Sequence, residues 1–221
     1  VDFGWTMRSL VPYFRNQLGD QLRVLFVHRH PVEVAASFKL IGSYSIYNSS
    51  QWAITPEHPR ALYPQFATRW ASMTAFERCL YYWLEVNAAG EELAEKLKDL
   101  PLLRVKSSDL FKTDGVLNEI VQFTGFDIYD RPIERSQERN RREIFLLERR
   151  PIKSEWKRYQ RHPELIEFAE HLGYDMSKDF IENVIHKYQL PSGMAPWVRN
   201  KSGYWIIREQ VGRALRKAGL R

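Results

Sequence analysis

The feature that most constrains this chain is an apolar run that stops abruptly at charge: residues 23–38 read RVLFVHRHPVEVAASF. LRVLFVH has no polar alternation after Val24, the pattern of a short strand covered on both faces in a parallel sheet. Pro31 stands where a first helical turn begins, a place that suits a fixed φ and a missing N–H. VEVAASFKLI then follows with helical spacing. A parallel strand needs a partner reached through a crossover. LLRVKSSDLF, at 102–111, is the second short β-rich run and supplies one.

The remaining segments fit around these two strands. Residues 1–21 read as a short amphipathic helix ending near Gly19. Residues 42–66, rich in Ser, Tyr, Asn, Pro and His, form a long loop whose Tyr44, Tyr47, Trp52 and Tyr63 serve either a substrate lid or simple anchoring. A long helix is expected from about Phe66 to Leu100, broken near Gly90, with Ala75, Cys79, Tyr82, Val86 and Ala89 on one face. DGVLNEIVQFTGF closes at Gly125, and HPELIEFAEHLGY at Gly173. Strand and helix alternate, so the fold class is α/β with a parallel sheet. At 221 residues the chain is sized for one domain, 1–221, whose last part, 177–221, is a helical, basic tail.

In such a sheet, ligands collect at the carboxyl ends of the strands. Arg29 falls at that edge, followed by a helix whose first N–H groups and partial positive charge favour an anion. Its forked guanidinium suits phosphate. Ser37, eight residues on, reaches the same anion if the ligand lies along the helix. Spacing leaves a second reading open, in which Arg29 pairs with Glu33 and Ser37 packs among small residues.

Charge fits an anionic partner without naming it: 33 Lys and Arg stand against 27 Asp and Glu, a net +6. Much of the excess lies after residue 130, in runs that read as solvated helix faces. The single cysteine, Cys79, excludes an intrachain disulfide and a cysteine zinc cluster and fits a reducing, cytoplasmic setting. No apolar run approaches the roughly 20 residues of a membrane span. No His or Asp cluster has metal-ligand spacing, so no metal is expected.

The strand, Arg29-His30-Pro31 and Ser37 together resemble the 3′-phosphate-binding motif of sulfotransferases that use 3′-phosphoadenosine 5′-phosphosulfate (PAPS). In that family the motif is usually Arg-Asp-Pro. YYWLEVNAAGEELAEKL is similar to the family's long helix through Trp83 and Asn87. LLRVKSSDLF resembles its strand of the form RYEDL, with Ser107 and Ser108 where Tyr and Glu are usual. PIKSEWKRY, with Lys153, and HLGYD resemble its closing segments. IERS, at 133–136, resembles a donor-binding stretch of tyrosylprotein sulfotransferases in Arg135 and Ser136. RNKSGYWIIREQ resembles the end of cytosolic sulfotransferases through Arg199 and Lys201. The likeness runs over residues 20–176 and is weaker beyond.

The resemblance implies a P-loop NTPase-like three-layer fold and a donor, PAPS, or its product adenosine 3′,5′-bisphosphate, bound by Arg29 and Ser37, with Pro31, Lys153, Arg135 and Ser136 beside them. It implies sulfuryl transfer to a hydroxyl or amine of a carbohydrate, lipid, phenol or peptide acceptor. The family also has a Gly-x-x-x-Ser-Gly-Thr loop for the 5′-phosphosulfate and a His or Glu base near it. Neither pattern is found, and only 28 residues precede Arg29, so the chain is expected to be the carboxyl-terminal two-thirds of such a domain. His28 reads as a packed imidazole rather than a base. The alternatives are a non-catalytic nucleotide-binding module, a basic nucleic-acid binder using 135–150 and the tail, and another P-loop relative such as a small-molecule kinase. Specific nucleic-acid recognition lacks a motif, and the kinase lacks a Walker sequence.

Overall fold

The computed structural model describes residues 10–40, 42–44, 54–110, 114–125 and 153–187. These give a mixed α/β structure, mostly helical, with one small parallel sheet. The helices are α1 (Val11–Leu18), α2 (Pro31–Leu40), α3 (Ala75–Lys96), α4 (Asp114–Thr124), α5 (Lys153–Trp156), α6 (Pro163–His171) and α7 (Lys178–Lys187). The strands are β1 (Val24–His28) and β2 (Leu102–Lys106), and 3-10 turns occupy Pro64–Ser72 and Lys157–Arg161. The described residues sort into two compact units, 10–31, 54–68, 82–110 and 114–125 in the first, and 32–40, 42–44, 69–81 and 153–187 in the second.

In the first unit, β1 and β2 pair in parallel, in register from Val24↔Leu102 to His28↔Lys106. The ladder extends at both ends, through Val24 N–H to the Pro101 carbonyl at 2.9 Å and Ser107 N–H to the His28 carbonyl at 2.8 Å. α1 ends at Gly19, whose φ of 55° is a left-handed turn costly for a side chain. Arg15 caps that turn by donating to the Gly19 carbonyl at 2.6 Å. The core of this unit is Phe66, Trp83, Leu84, Leu100 and Val105, all buried.

Two expectations change here. The strand is not covered on both faces, because Val27 is 44% exposed. Among the described residues the sheet has only two strands, too few to enclose β1. The long helix is not broken at Gly90: α3 runs through it from Ala75 to Lys96. A Cβ at Gly90 would lie 2.6 Å from the Phe26 ring, so the glycine marks a close approach of helix to strand. The helix also starts later than expected, since a 3-10 turn occupies Pro64–Ser72.

The second unit is held by Val32, Ala35 and Ala36 of α2, by Phe76, Cys79, Leu80 and Tyr81 of α3, and by Trp156, Tyr159, Leu165 and Ala169, all buried. Phe76 meets Trp156 edge to face at 5.6 Å. α6 stops at Gly173, φ 74°. There Gly173 N–H bonds the Glu170 carbonyl at 2.8 Å and Tyr174 N–H the Ala169 carbonyl at 2.9 Å, the paired bonds of a Schellman turn. α7 occupies Lys178–Lys187, and residues 188–221 of the expected helical, basic tail lie outside the described residues.

Candidate functional site

The carboxyl edge of the sheet is built by the residues that end each strand. Arg29 follows β1 directly, and α2 begins two residues later at Pro31. Its backbone is fixed from α3, where the Trp83 indole N–H donates to the Arg29 carbonyl at 2.7 Å. Asn87 in turn donates its side-chain amide to the Trp83 carbonyl at 2.7 Å. Both are buried, and the Arg29 side chain is half-buried. The Trp and Asn singled out on the long helix therefore belong to the support of Arg29.

His28, beside it, is buried and stacks on Phe26 with 5.8 Å between ring centres. Burial lowers its pKa below the usual 6.5, and the positive charges of Lys106 and Arg104 push it the same way against Glu91 and Asp109. The imidazole is neutral at pH 7, consistent with a packed ring.

Lys106 closes β2 opposite His28. After it the chain turns, with Asp109 N–H donating to the Lys106 carbonyl at 2.9 Å and the Ser108 hydroxyl to an Asp109 carboxylate oxygen at 3.1 Å. Two residues back, Arg104 is bidentate to Glu91, with Nε–Oε1 and Nη2–Oε2 both at 2.8 Å, joining β2 to α3. Glu91 raises the pKa of Arg104.

The loop segment before the 3-10 turn is held by Glu85, a buried carboxylate on α3. It accepts from Leu62 N–H at 2.7 Å and Tyr63 N–H at 3.2 Å, which pins this part of the expected lid. Tyr63 also meets Phe66 edge-on at 6.4 Å. In the second unit Tyr44, at φ 56°, meets Trp70 edge-on at 5.7 Å. Both described loop tyrosines thus make anchoring ring contacts.

Ser37 belongs to the second unit, half-buried on α2 beside the buried Ala35 and Ala36. Lys153 is the first residue of α5. Arg135, Ser136, Arg199, Lys201, Tyr47 and Trp52 lie outside the described residues.

A denser charged group in the second unit went unread in the sequence. Thr74 and Glu77 form a reciprocal cap at the start of α3: Thr74 N–H donates to Glu77 at 2.9 Å, and Glu77 N–H to the Thr74 hydroxyl oxygen at 3.3 Å. The same carboxylate accepts from Arg158 at 2.9 Å and stands 3.4 Å from the buried His162 ring. Burial alone would raise the Glu77 pKa, but the Thr74 N–H and Arg158 bonds outweigh it and the pKa is lowered. The signal was the spacing Thr-x-x-Glu in TAFE. Nearby, Arg69 pairs with Glu164 at 2.9 Å, and Lys39 bonds Glu155.

Cys79 is buried with its thiol pushed up to about 12 by desolvation, so it is no nucleophile. Among the described residues no group of three or more His, Cys, Asp or Glu is placed to hold a metal ion, and no helix is long and apolar enough to cross a membrane. Comparison with protein-family models, with curated proteins and with solved structures gives no match.

Proposed function

We propose that the chain is a PAPS-dependent sulfotransferase domain of P-loop NTPase-like, three-layer α/β architecture, working in the cytoplasm, with the donor's 3′-phosphate on Arg29 and Ser37. The observation that carries this reading is the position of Arg29: it directly follows a parallel strand, precedes a helix that starts with Pro31, and has its carbonyl held by Trp83. That is where an α/β sheet takes its ligands. The resemblance led independently to Arg29, Trp83 and Asn87, and the two hydrogen bonds that join them support it.

PAPS supplies an activated sulfuryl group. The tasks of this chain are then to bind and to orient. Arg29 presents a fork of N–H donors to a phosphate, which point charge alone would not orient. Trp83 keeps the Arg29 backbone from shifting, so the fork starts from a fixed carbon. The Ser37 hydroxyl donates one further bond. The reaction moves the sulfuryl group to an acceptor hydroxyl or amine, releasing adenosine 3′,5′-bisphosphate, and positioning supplies most of its catalysis by analogy with phosphoryl transfer.

A second reading, nucleotide binding without turnover, uses the same edge and differs only in lacking the transfer step. Both readings require the 3′-phosphate site, so binding is tested first. Calorimetric titration of Arg29→Ala should show adenosine 3′,5′-bisphosphate bound ~100-fold more weakly, with adenosine 5′-phosphate barely changed. Equal losses for the two nucleotides would remove the 3′-phosphate assignment. Turnover of PAPS with phenol and sugar acceptors then separates enzyme from binding module.

A further inference from the structure

We propose that Arg78 is the anion-binding group of a site in the second unit, which takes the carboxylate of a small ring-bearing acid beside Trp70. The inference is independent of the nucleotide reading, because every residue it uses lies in that unit. It starts from the first turn of α3, where Glu77 and Arg78 are neighbours. The partial positive charge of a helix start favours an acidic side chain there and disfavours a basic one. Glu77 is already committed, since it closes the cap with Thr74 and accepts from Arg158. Arg78 makes no ion pair among the described residues. Its guanidinium lies over the Trp70 ring, 5.1 Å from the centre, and Nη2 donates to the Trp70 carbonyl at 3.0 Å. Trp70 is itself fixed edge to face, by the buried Tyr81 at 5.3 Å and by Tyr44 at 5.7 Å.

These surroundings compensate the charge only in part. A half-buried guanidinium loses hydration, and one ring face with one carbonyl replaces a fraction of it. Nε is buried without a hydrogen-bond acceptor. Arg69, one residue before Trp70, shows the usual arrangement, with its guanidinium on Glu164 at 2.9 Å. Arg78 differs in being a full positive charge held in a fixed orientation by neutral groups. A guanidinium held in this way suits an oxyanion, and its N–H donors match the two oxygens of a carboxylate. The rings select the rest of the ligand. Trp70 and Tyr44 are both half-buried, so aromatic surface remains beside the cation. A carboxylate carried on a ring covers both, whereas a small hydrated anion covers the cation alone.

Trp70 is the built-in reporter. Its indole N–H signal in NMR spectra of the full chain, assigned by its loss in Trp70→Phe, is followed while benzoate, acetate or chloride is added at constant ionic strength. Benzoate should move the signal to saturation, acetate should act only at concentrations ~10-fold higher, and chloride should leave it in place. Arg78→Met should weaken benzoate ~10-fold or more, and Arg78→Lys, which keeps the charge without the fork, should restore part of the loss. Unchanged benzoate affinity in Arg78→Met would overturn the assignment. A shift that grows without saturation, and equally with all three salts, would overturn the site altogether. Should Arg78→Met fail to fold, Arg78→Lys decides alone, since wild-type affinity for benzoate in a chain without the fork would also overturn the role of Arg78.

Discussion

His28 and His162 are both buried, and burial lowers the pKa of both, but the regions around them are organised differently. His162 lies in a group whose charges are interlocked across elements. Glu77 caps its own helix while taking Arg158 from the 3-10 turn before α6, and Arg69 reaches Glu164. His28 lies at the end of a strand, with Lys106 in register beside it and Arg29 next in sequence. The difference teaches that a histidine, an arginine and a carboxylate in proximity do not by themselves indicate chemistry. In the group around His162 acids and bases are joined by direct bonds across elements, and at the end of β1 the arrangement is set by strand register and by the Trp83 bond to the Arg29 carbonyl.

The largest effect should come from breaking the interlocked group. Glu77→Ala removes the reciprocal cap and strands Arg158 beside a buried histidine, and should cost about 2–4 kcal/mol in urea unfolding. A loss below ~1 kcal/mol would mean that the group is not structural, and the contrast between the regions would collapse.

Next is the contact that backs the strand edge. Gly90→Ala places a methyl 2.6 Å from Phe26, whose ring stacks on His28. Overpacking of this kind costs about 1–3 kcal/mol, partly offset by the roughly 1 kcal/mol that alanine gains over glycine in a helix. Phe26→Leu in the same chain should recover part of the loss. Nucleotide binding should weaken in Gly90→Ala and be untouched by Thr74→Ala.

The smallest effect is on pH. Both histidines have folded pKa values below 6.5, so the folded chain keeps them neutral while the unfolded chain takes up protons as pH falls through that value. Their contribution is complete above pH 6.5 and is lost on acidification. The urea midpoint should be lower at pH 5.5 than at 7.5, and His162→Gln should flatten part of the change. Equal midpoints would place a proton on these rings in the folded state, with Glu77 and Asp109 as counter-charges.

Much of the backbone was legible because its punctuation is local. Pro31 starts a helix, and Gly19, Gly125 and Gly173 each end one at positive φ, which other residues rarely adopt. The first strand was legible from an apolar run and the second from a short β-rich one. Gly90 misled because its cause is not local: a helix interior disfavours glycine, and only the Phe26 ring, distant in sequence, explains it there. Val27 misled for a related reason, since the pattern of a strand does not say how many neighbours the sheet will have. At the site, Arg29 was legible from the strand-to-helix junction, and Trp83 and Asn87 only through resemblance.

Cys79 has a practical consequence. It is the only cysteine in the chain, it is buried in the core of the second unit, and burial pushes its thiol pKa up to about 12. A thiol reagent can therefore modify it only when that core opens, and at reagent concentrations where labelling outpaces reclosing each event counts one opening. The rate of labelling becomes a direct gauge of how often the second unit comes apart under native conditions, with no engineered probe. The first unit contributes no thiol and stays silent, so the gauge isolates one half of the molecule from the other.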